Sequence, residues 1–244
     1  MLSHELKPGP ASGPPAAHVA SHKLGGADIL ESKLLTGYAT VNGAITTTTS
    51  GYGLFASGIP TDASSAISST SDGVGFQQTS AATTGSDACY SYPISARFDT
   101  AGLPAFRVKV KFDTVANVRY FYGLSSDNGP GTVDADDPAA YQCAFQFSSG
   151  RDSNWMISLD DNGTQVLTDT SILAAVGVYW FDIEVTVAGS CKFTMRDSTG
   201  AELYSETISS DVPSAGNLLY FVIGGETQAN VAINPIVYCL EIRT

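Results

Sequence analysis

The sequence predicts an all-β protein: an antiparallel β-sandwich of the jelly-roll type, preceded by an extended N-terminal arm. Three observations predict it. Apolar residues make up 43% of the chain and charged residues only 15%, with 24 glycines among 244 residues. With its abundant Ser and Thr, that mixture suits turns and strands better than helices, which favour Ala, Leu, Glu, Lys and Gln. From residue 96 onward, short segments alternate apolar and polar residues, the period of a half-buried strand. No segment with a helical period lies between them, and a chain of this length forms a single sandwich readily.

Residues 1–35 differ from the rest. "KPGPASGPP" holds four prolines in nine residues and reads as extended and polyproline-like. "GGADILESKLL" allows one short helical turn with Asp28 as N-cap. No apolar face here is wide enough to fold alone, so the arm is expected to order only against a partner, which points to an assembly. Residues 36–95 are rich in Ser, Thr, Gly and Ala, with apolar pieces such as "YATV" and "YGLFA"; they read as a loop-rich part of the β domain with brief strands.

Residues 96–244 carry the clear strands of the jelly roll. In "FRVKVKF", Phe106, Val108, Val110 and Phe112 face one way, and Arg107, Lys109 and Lys111 the other. "NVRYFYGLS" follows, and "YQCAFQFSS" keeps Tyr141, Cys143, Phe145 and Phe147 in phase. "NWMISL" runs into Asn162-Gly163, a hairpin signal. "YWFDIEVTV" aligns Tyr179, Phe181, Ile183, Val185 and Val187, and "DSTG" joins "CKFTMRD" to "ELYSETI" as a second hairpin. "LLYFVIGG" and "IVYCLEIRT" complete eight or nine expected strands. One-sided alternation belongs to antiparallel sheets and argues against a doubly wound α/β enzyme.

The net charge of −12 falls wholly on residues 35–244, because residues 1–34 balance Glu5, Asp28 and Glu31 against Lys7, Lys23 and Lys33. Such a surface repels nucleic acid and anionic lipid, which need clustered Lys and Arg. No apolar run approaches the ~20 residues of a membrane span, and "MLSHELKPGP" lacks the pattern of an export signal; a soluble protein made in the cytosol is expected. The four cysteines, Cys89, Cys143, Cys191 and Cys239, show no C-x-x-C spacing. They are expected to act as small buried hydrophobes, with a disulfide as the alternative.

The order of pieces in residues 96–244 resembles the concanavalin-like, laminin-G-like jelly roll, through "FRVKVKF", "YFYGLSS", "YWFDIEVTV", the "CKFTMRDSTGAEL" hairpin and "IVYCLEIRT". The stretch "HVASHKLGGADIL" resembles the H-A-x-x-H-x-x-G-G-x-D-x-L element near the N-termini of many tailed-phage virion proteins. His18, Ser21, His22, Gly25, Gly26, Asp28 and Leu30 carry the match, and Val19 departs from it. The resemblance implies a virion structural protein with an N-terminal anchor, commonly trimeric, and marks those seven residues as candidate docking contacts. With no repeats, heptads or shaft, capsid decoration (a cement protein) is expected over a fibre. The expected partners are the major capsid protein or neighbouring virion proteins and further copies of the chain, at the virion surface after synthesis in the host cytoplasm.

No enzyme is expected. The three histidines are His4, His18 and His22, so the β domain holds no Ser-His-Asp or Cys-His site within one chain. His18 and His22 have helical spacing for metal ligands, but no Glu lies between them as in zincins. Asp182 and Glu184 are the one candidate carboxylate pair for glycosidase chemistry, and read more simply as solvated strand-face charges. The loop "SSDNGPGTVDADDP" carries Asp127, Asp134, Asp136 and Asp137, candidate calcium ligands without EF-hand spacing; otherwise no cofactor is expected. Trp155, Tyr179 and Trp180 are candidate contacts for a host glycan.

Overall fold

A computed structural model of the chain describes residues 64–70, 73–92, 98–127, 132–133, 135–137, 141–187 and 189–243. The expected arm, with its seven candidate docking residues and all three histidines, lies outside them.

Fourteen strands are described. They are β1 (Ser64–Thr70), β2 (Gly73–Thr79), β3 (Ser86–Tyr92), β4 (Phe98–Asp99), β5 (Ala105–Phe112), β6 (Val118–Ser125) and β7 (Tyr141–Ser148). Then come β8 (Asn154–Asp161), β9 (Val166–Leu173), β10 (Gly177–Val187), β11 (Ser190–Arg196), β12 (Glu202–Ile208), β13 (Leu218–Thr227) and β14 (Ile236–Arg243). One sheet runs β1-β2-β14-β5-β10-β11-β12; the other runs β3-β13-β6-β7-β8-β9, with the two-residue β4 also on β13. The pairings are antiparallel throughout. This is the expected all-β jelly-roll sandwich. β1, β2 and β3 come from the Ser/Thr/Gly-rich segment, and β2 and β3 pair with the last two strands.

The alternation of the sequence becomes the layering of the fold. Phe106, Val108, Val110 and Phe112 of β5 and Phe181, Ile183 and Val185 of β10 are all at most 2% exposed. Facing them are Tyr120, Tyr122 and Leu124 of β6, Cys143, Phe145 and Phe147 of β7, and Trp155, Ile157 and Leu159 of β8. Each large side chain so buried contributes roughly 1.5–3 kcal/mol of transfer free energy. Trp155 sits at the middle of this layer, its ring centroid 4.9 Å from that of Phe181 and 5.0 Å from that of Phe112.

Both expected hairpins form. Asn162 adopts φ 61°, the left-handed conformation that Asn tolerates, and the Asp160 carboxylate accepts the Gly163 N–H at 2.7 Å. At the β11–β12 turn Asp197 accepts from the N–H groups of Thr199 and Ala201 at 2.8 and 3.0 Å, and Gly200 supplies φ 88°. Residues 105–243 hold ten strands of seven or more residues, against the eight or nine expected. The additional pairing surface includes β9, an edge strand with an irregular burial pattern that alternation alone does not reveal.

Candidate functional site

The expectation of one-sided sheets fails on the second sheet. β6, β7 and β13 are buried on both faces. Their outward face carries Arg119, Phe121 and Ser125 of β6, Gln142, Ala144, Gln146 and Ser148 of β7, and Tyr220, Val222 and Glu226 of β13. Register places Arg119 between Ser148 and Glu226, and Ser125 between Gln142 and Tyr220.

This face is covered by the loop between β6 and β7. Val133 is fully buried in a small apolar cluster with Phe121, Ala144, Tyr220 and Val222. Arg119 is the clasp: its Nη1 pairs with Glu226 and donates to the Val133 carbonyl at 3.3 Å, while its Nε holds Asp136 at 2.8 Å. The Asp136 carbonyl in turn accepts from Gln146 Nε2 (3.0 Å), Gln165 Nε2 (2.5 Å) and Arg151 Nη1 (3.2 Å). Burial pushes the Asp136 carboxyl up, but the hydrogen bond and charge of Arg119, with Arg151 nearby, outweigh it and hold it below the usual carboxylate range. Asp137 is moved the other way, by burial and then by the charge of Asp160.

Chemically, this is a polar face with its ionisable groups committed. Asp136 and Glu226 share Arg119, Asp152 pairs with Arg151 at 2.7 Å, and Asp160 is used in the Gly163 turn. The exception is Asp137, which accepts from an uncharged group, the Nε2 of fully buried Gln142 at 3.3 Å, and the Oε1 of that glutamine has no partner. The sequence reading missed this face, because its glutamines occupy positions that alternation assigns to solvent.

The expected site residues fall as follows. Trp155 is placed differently from the expectation: it is 0% exposed in the core, because its phase with Ile157 and Leu159 turns it inward, and its ring offers no surface on which a sugar could stack. Tyr179 packs from the core edge against Phe112, Trp155 and Phe181. Trp180 does lie on the outward face of the first sheet, half-buried, with Lys109 Nζ 5.1 Å and Arg107 Cζ 5.9 Å from its ring centroid. Asp182 is not a solvated charge: Arg107 grips it at 2.5 and 3.2 Å, and Arg196 pairs with it from the other side. Glu184, its proposed partner, is exposed. Of the acidic loop, Asp134 lies outside the described residues, Asp127 is exposed, and Asp136 and Asp137 hold Arg119 and Gln142. No cluster of three metal-ligating side chains occurs among the described residues. Cys143 and Cys191 are buried free thiols.

Residues 70–238 match the family described as SO2946-like, C-terminal domain. No curated protein matches the chain. Among solved structures, the fold is similar to the protein of unknown function SO2946 from Shewanella oneidensis MR-1 (13% identity, TM-score 0.52, 74% of this chain and 77% of that one). It is also similar to a family 7 alginate lyase, A1-II', in complex with substrate (16%, 0.50, 72% and 80%). A third is the endo-β-1,4-glucuronan lyase of the fungus Trichoderma reesei (10%, 0.50, 76% and 89%). At these identities the likeness is one of fold.

Proposed function

The chain belongs to the SO2946-like, C-terminal domain family, and we propose, from its own arm and sandwich, that it is a non-enzymatic virion protein of a tailed phage, a capsid decoration (cement) protein. In this reading the N-terminal arm docks on the capsid, and the sandwich stands outward, self-associating as a trimer. The observation that carries the non-enzymatic half is the closure of the second sheet's polar face by residues 132–133 and 135–137, with Arg119 held between Asp136 and Glu226. A lyase or hydrolase needs an acid or base within reach of its substrate; here Asp136, Glu226 and Asp152 are tied to arginines and Asp160 to a turn, while Asp137 accepts from the Gln142 amide. The arm's likeness to the phage element at His18, His22, Gly25, Gly26 and Asp28 supports the virion half.

The test is deletion of residues 1–30. The truncated chain is expected to keep its β-sheet circular dichroism and to lose co-sedimentation with virions of the encoding phage. Retained decoration overturns the docking role. Release of unsaturated uronate from alginate or glucuronan by the full chain overturns the non-enzymatic reading.

Trp180 favours a second reading, a fibre tip that binds a host glycan. Its indole offers an apolar platform, and Lys109 beside it suits the carboxylate of an acidic sugar, Arg107 being held by Asp182. Glycan-array signal abolished by Trp180→Ala would establish that reading; a blank array for the intact chain would remove it.

A further inference from the structure

We propose that Cys143 and Cys191 form a disulfide that joins the two sheets through the core. Cys143 lies on β7, between Leu124 of β6 and Leu159 of β8; Cys191 lies on β11, between Val185 of β10 and Ile208 of β12. The two strands belong to different sheets, yet the sulfurs approach to 3.1 Å. Both residues are at most 1% exposed. Closing to a bond of about 2.05 Å asks for a movement of roughly 1 Å, within the reach of a side-chain adjustment. The other two cysteines lie in β3 of one sheet and β14 of the other, away from this pair in the strand order.

The chemistry requires an oxidant of the disulfide class, such as glutathione disulfide. One cysteine thiolate attacks it, forming a mixed disulfide and expelling one glutathione thiolate. The second cysteine thiolate then attacks the protein sulfur of that mixed disulfide and expels the other. Two protein thiols lose two protons and two electrons, and one glutathione disulfide becomes two thiols. Burial and the adjacent Cys143 push the Cys191 thiol well above its ordinary range, so thiolate is scarce in the closed fold and the bond forms while the chain folds or opens. A reducing cytoplasm keeps the pair as thiols, and an oxidising exterior favours the bridge. The pairing stands independently of any role in a virion.

The experiment uses the full chain, denatured with reductant, then refolded in a glutathione redox buffer or in dithiothreitol and trapped with N-ethylmaleimide. Trapped in denaturant, the product of oxidising refolding should carry two maleimide adducts against four on the reduced chain of four cysteines, with a single cross-linked peptide pair joining Cys143 to Cys191. Its thermal midpoint should exceed that of the reduced chain by roughly 5–15 °C, a gain absent from Cys143→Ala and from Cys191→Ala. Alkylation of both cysteines after oxidising refolding, or bridging of either to Cys89 or Cys239, overturns the proposal. That peptide map decides the matter even if a variant fails to fold.

Discussion

Replacing Arg119 by Met tests whether the clasp on the second sheet is structural. The Met side chain retains much of the apolar stem and removes the guanidinium. Glu226, with its side chain 12% exposed, then loses its cation, and breaking a buried pair costs about 3–5 kcal/mol. Asp136 is 42% exposed, so solvent screens its contribution to about 0.5 kcal/mol at most. The remaining water contact of Glu226 places the total near the lower bound, about 3 kcal/mol. For a domain of this size that lowers the thermal midpoint by roughly 6–12 °C. The measurement is urea and thermal denaturation of Arg119→Met, Glu226→Gln and the double variant. Because Glu226→Gln removes the charge that Arg119 balances, the double variant should recover about 2 kcal/mol relative to Arg119→Met. A loss below about 1 kcal/mol in Arg119→Met, or a double variant no more stable than it, refutes the reasoning.

Three further outcomes follow from the same structure. A Cβ on Gly123 would stand 2.5 Å from the Ala144 Cα and closer still to the Cys143 carbonyl, so Gly123→Ala must part β6 from β7; a loss of more than about 3 kcal/mol is expected, and normal soluble expression with an unshifted denaturation midpoint would contradict it. Trp155 is fully buried and its Nε1 has no partner. Trp155→Ala should therefore cost about 3–5 kcal/mol by chemical denaturation, whereas Trp155→Phe, which removes the orphaned donor, should cost about 1 kcal/mol. The carboxyl of Asp136 is depressed in the folded state, so its contribution is present above the unfolded value of about 3.9 and is lost as pH falls through the folded one. Deuterium uptake by residues 132–137 should rise as pH falls below about 4, after correction for intrinsic exchange, and Asp136→Asn should flatten that response.

The sandwich was legible because alternation is a local property. β5 and β10 state their core faces within seven to nine residues, and Asn162-Gly163 and Asp197–Gly200 state their turns. Alternation identifies the apolar face of a strand but is silent on what covers the polar one. Gln142 and Gln146 therefore read as solvent-facing, although both are fully buried. Their cover depends on Arg119 reaching Asp136, 17 residues away, and Glu226, 107 residues away, and no short motif records such distances. One signal was available: "LLYFVIGG" in β13 is a continuous apolar run, the mark of a strand buried on both sides. Trp155 was misjudged for the opposite reason: its chemistry suggested a ligand, while its phase with Ile157 and Leu159 already placed it inside.

The strand order also bears on how the chain reaches this state. β13 lies between β3 and β6, and β14 lies between β2 and β5, so residues 218–243 supply an interior strand to each sheet. Until that segment emerges from the ribosome, both sheets have a missing rung and four unpaired strand edges, the kind of surface that recruits other chains. Pairings so distant in sequence make slow folding the expectation, and strands β1 to β12 must remain soluble until residues 218–243 arrive and either layer can close.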